Sequence, residues 1–311
     1  MHRLLCTALL VSVCLAISQA QLDSLLNVLD LELSKRDAYL EERNELLAAF
    51  DEQRAAASSM DEQFAITLKK VAALESFSYT RAREEVLKLK ALAIQSQDSK
   101  KIAQSVIREA FINLSAGLFN EAIDSLNTLE IDHLPPLLKT DYFSTRGRAH
   151  LDLANNYVIP ELSQRYRNFA VADIDSAIHY AQPDPFAVLI LRSNRAMAVP
   201  APREGIRIYH QIKGNPKAGT RLMAKEHAAA GEQYARLGLR DSARLAFIKS
   251  AIADERTVTR EIVSLVKVAQ DAYEREDFER SAQYINIGLE NANFFDARHR
   301  KIEVLKILPL I

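Results

Sequence analysis

Side chains able to do chemistry are present in this sequence but are not gathered. The seven histidines (His2, His133, His150, His179, His210, His227 and His299) form no His-x3-His or His-Glu-x2-His spacing, so no helix face presents two imidazoles to one metal ion. His150-x-Asp152 comes nearest to a catalytic pair and reads as a packed or solvated pair on one helix. No glycine-rich phosphate loop, Gly-x-Ser-x-Gly elbow or kinase-type set occurs. Adjacent acids such as Glu41-Glu42 and Glu84-Glu85 diverge on a helix, so they make charged faces and not a general acid with its base. The expectation is a non-enzymatic chain with no catalytic residue, cofactor or metal. The closing basic residues Arg298, Arg300, Lys301 and Lys306 are too few for nucleic acid, and 40 basic against 41 acidic residues give a net charge of -1, without a global field toward polyanions.

The elements that position these side chains follow from composition. Apolar residues make 48% and charged residues 26%, with 8 Gly, 9 Pro and no Trp. Residues 21 to 116 contain neither Gly nor Pro, and a sheet protein needs turn residues far more often. The fold class is therefore all-α. From about residue 60 a helix-pair pattern recurs every 34 to 42 residues, the tetratricopeptide period. Gly231-x2-Tyr234, Gly238 at a turn, and Ala243-x3-Phe247 with Ala251 match it, small residues letting two helices cross closely while the aromatics fill the space beside them. Ala110, Gly117, Phe119 and Ala122 form a weaker copy, and Ala269, Phe278, Ser281 and Gly288 another, with Glu276 where the turn glycine would sit. Tyr79 and Ala82 mark an earlier copy, with Lys70 at a usually small position. Between 138 and 214 two further pairs are bounded by breakers: Pro135-Pro136 ends one unit, Asp141 caps a helix to Tyr157, and Pro160, Gln182 to Pro185 and Pro200 to Pro202 separate the rest. The sum is a tetratricopeptide-like α-solenoid of about six pairs behind a long N-terminal helix.

The organisation expected is a signal peptide over 1–20, that long helix over 21–58, repeats over 59–293 and a capping helix or tail over 294–311. Leu4 to Ile17 is uncharged and apolar, and Ser18-Gln19-Ala20 offers small residues for cleavage before Gln21. Both cysteines, Cys6 and Cys14, fall in this leader, so the mature chain has no disulfide. An exported, periplasmic location is expected, with no stable membrane insertion once the leader is removed. Leu26, Leu33, Leu40 and Leu47 recur every seven residues, with Leu22, Leu29 and Phe50 at the alternate seam position beside Arg36 and Arg43. That stripe lies against the following domain or, as the alternative, joins a homodimer.

Two ends and one repeat carry a resemblance. Ser76-Phe77-Ser78-Tyr79, Ser115 to Ala122, the opening Leu22-Asp23-Ser24-Leu25-Leu26 with Lys35-Arg36-Asp37, and Ala297 to Val304 resemble the extracytoplasmic tetratricopeptide half of Bacteroidota membrane regulators that carry a domain of unknown function. The resemblance implies a sensor preceding a membrane helix, and this chain stops at Ile311 before such a helix. Stacked first helices present a concave wall, where Gln104, Phe111, Leu114, Lys225, Glu232, Arg236, Gln270 and Tyr273 are the expected groove residues, with Val266 at a corresponding position. A protein or peptide ligand is expected there, and no nucleic acid. The alternative is a small-ligand or glycan receptor of an uptake system.

Overall fold

The computed structural model describes residues 20–296 and 298–307; the expected leader, with Cys6 and Cys14, lies outside them except for Ala20. The described residues form an all-α tetratricopeptide-like solenoid. Helix α1 spans 20–34 and breaks at Lys35 before α2 (Arg36–Ala56). Six antiparallel pairs follow: α3 (Met60–Leu74) with α4 (Tyr79–Ser96), α5 (Ser99–Ser115) with α6 (Phe119–Asn127), α7 (Pro136–Asn156) with α8 (Pro160–Tyr180), α9 (Pro185–Ala198) with α10 (Pro202–Lys213), α11 (Thr220–Arg236) with α12 (Arg240–Arg256), and α13 (Val263–Glu274) with α14 (Phe278–Phe295). Helix α15 (Arg298–Ile307) closes the stack. Among the described residues no helix is long and apolar enough to cross a membrane.

The prolines start helices where breakers were expected. Pro136, Pro160, Pro185 and Pro202 each stand in the first turn of a helix, where the missing N–H has no partner to lose and the fixed φ already suits the helix. Asp141 accordingly lies inside α7 and caps nothing, one correction to the sequence reading. Asp184 does cap, accepting from the Phe186 N–H at 3.0 Å. The turns after α5 and α11 use Gly117 and Gly238 at positive φ (88° and 72°), and Glu276, at φ 65°, adopts the same left-handed conformation in the position read as a missing glycine.

At the helix crossings the repeat pattern fixes the packing. Ala110, Ala122, Ala243 and Ala251 are buried, and a Cβ on Gly231 would stand 2.7 Å from the Phe247 ring. Tyr234 is half-buried and its hydroxyl meets His210 Nε2 at 3.2 Å, while Ser281, fully buried, donates to the Ala269 carbonyl at 2.9 Å. Lys70 is buried at its usually small position because its ammonium reaches Asp51 and lies 3.4 Å from Glu85.

The two ends of the solenoid meet. Leu22, Leu26, Leu29 and Leu33 of α1 are buried in one cluster with Phe247, Leu265 and Tyr284 of the last two pairs, whereas Leu47 of α2 packs with Phe64, Leu74 and Val86 of the first. The leucine stripe thus packs largely within the chain, against the repeats at both ends. Arg36 and Arg43, the residues that spoil a coiled coil, tie the closure. Arg43 donates to the Ala73 carbonyl at 3.2 Å and the Thr257 carbonyl at 2.7 Å, and Arg36 to Glu290 at 3.0 Å and Asn291 at 2.8 Å. The Arg260 N–H also donates to the Ser76 carbonyl at 2.8 Å, and Phe77 meets Phe294 with centroids 5.1 Å apart.

Candidate functional site

Closure turns the concave wall into an inner channel lined by α5, α7, α9 and α11. On α11 the positions Arg221, Lys225, Glu232 and Arg236 recur at steps of four and seven residues and share one stripe, while Ala224, Glu226, Ala230, Gly231 and Gln233 turn into the packing. Arg221 crosses the channel to donate to the Ala72 carbonyl at 2.9 Å and stands 4.0 Å from Glu75; Arg108 of α5 reaches the same carboxylate at 3.2 Å. Burial pushes Glu75 above the ordinary carboxylate range against the pull of both guanidinium groups, and it pushes Asp141 up likewise.

Deeper in, Lys225 is exposed on the channel side yet crowded by protein. Its ammonium donates to Asn194 Oδ1 at 2.8 Å. Burial draws its pKa down; Glu226 opposes, Arg148 adds to the fall and Asp152 opposes it. Arg148 and Asp152 therefore face Lys225 across the channel, and they pair with each other at 3.5 Å. The Arg148 guanidinium also lies 5.5 Å from the centroid of the Phe111 ring, within reach of cation–π attraction. Beneath this surface Glu226 is buried, raised by desolvation, and accepts from Ser193 Oγ at 2.6 Å. The result is a channel wall carrying an aromatic face, two cations without a strong carboxylate partner, and an amide. Such a wall can hold a polar chain with a carboxylate and an apolar side chain.

The expected groove residues do not all meet there. Lys225 and Phe111 are brought together through Arg148, with Gln104 half-buried on the same helix as Phe111. Glu232 lies farther along α11 and pairs loosely with Lys267 at 4.0 Å; Arg236 reaches the Met197 carbonyl at 3.5 Å. Leu114 is a correction: it is only 1% exposed and packs in the core with Leu126, Leu134 and Tyr142. Three residues past Phe111 turn the helix by about 60° off the groove stripe, onto the neighbouring pair. Val266 is likewise buried. Gln270 is half-buried on α13, and Tyr273 sits near the turn of the last pair, edge-on to Phe278 at 5.5 Å, outside the channel centre.

Arg148, Asn194, Arg108 and Arg221 were missed by sequence reasoning. A signal existed for the first: Gly147 takes the place in its pair that Gly231 takes in the fifth, a Cβ there standing 2.9 Å from Ile174 and 3.2 Å from the Ala170 carbonyl. Aligning the two glycines puts Arg148 next to the crossing. His150 pairs not with Asp152 but with Asp173, Nδ1 to Oδ2 at 2.8 Å, and Asp173 also accepts from Arg146. Among the described residues no group of three or more His, Cys, Asp or Glu could hold a metal ion. A separate cleft of about 360 Å³ opens between α8, α9 and α10, with Ile178, Ala196 and Ile208 on its floor and the Arg195–Asp175 ion pair at its rim.

Compared with known proteins, the chain resembles the crystal structure of NprR in complex with its cognate peptide NprX at 15% identity and a TM-score of 0.49, over 92% of this chain and 82% of that one. It also resembles the apo form of the quorum sensor NprR from B. thuringiensis at 14% identity and a TM-score of 0.42, over 92% and 80%. No protein of curated function matches it. The family of the SusR N-terminal TPR domain matches residues 33–306, from the end of the first helix into the closing one, and it is to this family that the chain belongs.

Proposed function

We propose that the chain is a non-catalytic, exported sensor module, the ligand-reading part of a regulator, and that its inner channel holds an extended peptide segment of a ligand or partner. The observation that carries this reading is the juxtaposition of Lys225, Asn194, Arg148 and Phe111 on four different helices around one solvent-reached space. A lysine bonded to a neutral amide and facing an arginine has electrostatic capacity left for a carboxylate, and the Phe111 ring offers an apolar face beside it. Family membership supports the regulator half of the proposal, since the family is defined on an N-terminal domain of such a protein. The apolar leader over 1–20 supports export.

The test is binding of the full chain to an array of short peptides, each made once with a free terminal carboxylate and once amidated. Retention should favour the free carboxylate and fall at least tenfold in Lys225→Ala and Arg148→Ala. Each charge-assisted hydrogen bond lost costs about 1.5–3 kcal/mol. Retention indifferent to both substitutions would remove the channel as the site. A small-ligand receptor has one observation in its favour, the cleft between α8 and α10, whose volume of about 360 Å³ suits a compact molecule. Ligand protection mapping to Arg195 and Ile208, with the channel unaffected, would favour it.

A further inference from the structure

The third helix pair is longer than its siblings on one side only. Helix α7 continues nine residues past its crossing at Gly147, to Asn156, where α11 continues five past Gly231, to Arg236. Its partner α8 begins ten residues before Ala170, which faces Gly147, whereas α12 begins three before the corresponding Ala243. At 1.5 Å per residue the α7–α8 hairpin stands roughly 6–10 Å proud of the edge on which all the intra-pair turns lie.

The protrusion has an aliphatic tip and, behind it, a mixed aromatic and basic belt. At the tip, Val158 is 95% and Ile159 54% exposed, beside the exposed Pro160. Just behind, Tyr157 stacks on Tyr166 with centroids 5.2 Å apart and rings 11° from parallel, and Phe169 meets Tyr166 edge-on at 6.0 Å. Basic side chains flank Tyr166 at the same level of α8: Arg165 lies 5.7 Å from the Phe169 centroid and Arg167 donates to Asn155 at 2.8 Å, with Glu161 the carboxylate at the start of the helix. The turn is pinned, since Ser163 Oγ donates to the Ala154 carbonyl at 2.8 Å and Pro160 fixes the helix start. Its aliphatic side chains are thus held outward in water at no evident gain to the fold.

We propose that this tip is a bilayer-contact surface, inserting Val158 and Ile159 into the headgroup–acyl boundary of an anionic membrane with the tyrosines at headgroup level. An aliphatic tip backed by a belt in which tyrosines and arginines share one level is the way a membrane interface sorts side chains. A protein partner fits less well: a stable protein interface needs about 800 Å² from each side, far more than a two-residue tip presents, whereas insertion into lipid needs no complementary shape. The proposal does not depend on what the inner channel binds.

The absence of tryptophan from the chain allows a direct test. Ile159→Trp places a single depth probe at the tip of the full chain, and Leu137→Trp places one at an exposed site at the other end of α7. With vesicles of phosphatidylethanolamine and phosphatidylglycerol, the tip tryptophan should shift its emission to the blue and lose intensity to lipids brominated on their acyl chains. The Leu137 probe should do neither, and adding Val158→Asp to Ile159→Trp should abolish both changes. Emission unchanged at the tip while the protein sediments with the vesicles would overturn the proposal, as would equal quenching at both positions. A blue shift that grows with protein concentration in the absence of lipid would overturn it in favour of a second copy covering the tip.

Discussion

A Cβ placed on Gly231 collides with the edge of the Phe247 ring, and one on Gly147 with Ile174 and a backbone carbonyl, so neither helix crossing can take even a methyl group without moving apart. Overpacking of this kind costs about 1–3 kcal/mol, while trimming an exposed side chain usually stays within about 0.5 kcal/mol. Gly231→Ala and Gly147→Ala should each lower the melting temperature by several degrees, and Lys225→Ala should barely change it; equal losses in thermal melts would contradict the packing. Of these two crossings only one was legible. Gly231 comes with Tyr234, Ala243 and Phe247 at the consensus spacings, whereas Gly147 has His150 in place of the tyrosine and Ile174 in place of the phenylalanine. The same limit explains Leu114. A helix face about 60° wide separates groove from core, and a repeat register read from one well-matched unit does not resolve that angle in a divergent one.

Among the elements, α1 and α2 carry the least expected role. Heptad leucines with arginines at alternate seam positions read as a flawed coiled coil; the folded chain uses the leucines to cover two different repeats, Arg43 to bond backbone carbonyls of both ends and Arg36 to bond side chains of the last pair. Nothing in local spacing reveals that partner, because the contacts join residues more than two hundred apart in the chain. Glu32, buried on α1, accepts from Arg256 at 3.0 Å and from the Tyr39 hydroxyl at 2.5 Å. Arg256, with Tyr39 and Lys35, holds its pKa at about 2, down from 4.5, despite burial. A depressed carboxylate contributes its full stability above its unfolded pKa and loses it as pH falls toward the folded value. Asp254 and Glu255 nearby are raised by burial and act with the opposite sign, but a Glu32→Gln variant shares them. That variant should be less stable than the parent by about 1–3 kcal/mol near neutrality, with the gap narrowing as pH drops below about 4.5. Denaturant titrations of both proteins at pH 7 and pH 3.5 check this; a constant gap would mean that the Glu32 charge contributes nothing to the clasp.

At the scale of the whole molecule, an open solenoid has become a ring, and the channel exists because of it. Arg221 of the fifth pair reaches Glu75 and Ala72 of the first only when the ends are joined. That joining rests on the buried face of α1 and the bonds of α2. A chain of repeats touching only its neighbours stores stability locally and opens by fraying from its ends; joining the ends removes both fraying sites and couples the first pair to the last. Leu29, fully buried where α1 meets the last two pairs, is the place to break the coupling, since an aspartate there puts an unpaired charge into an apolar site. Leu29→Asp should therefore undock α1 while leaving the six pairs helical. Small-angle scattering should show a larger radius of gyration and circular dichroism only a modest loss of helix, with peptide retention by the channel weakened although no lining residue has changed. Leu126→Asp, in the core of the second pair, is the contrasting variant: it should lower helicity before it changes the overall dimensions. If both substitutions lost helix together, the ring would be melting as one unit and α1 would not act as a separable clasp. If Leu29→Asp left the radius of gyration unchanged, closure would not depend on α1, and the backbone bonds of Arg43 and Arg260 would be sufficient to hold the ends together.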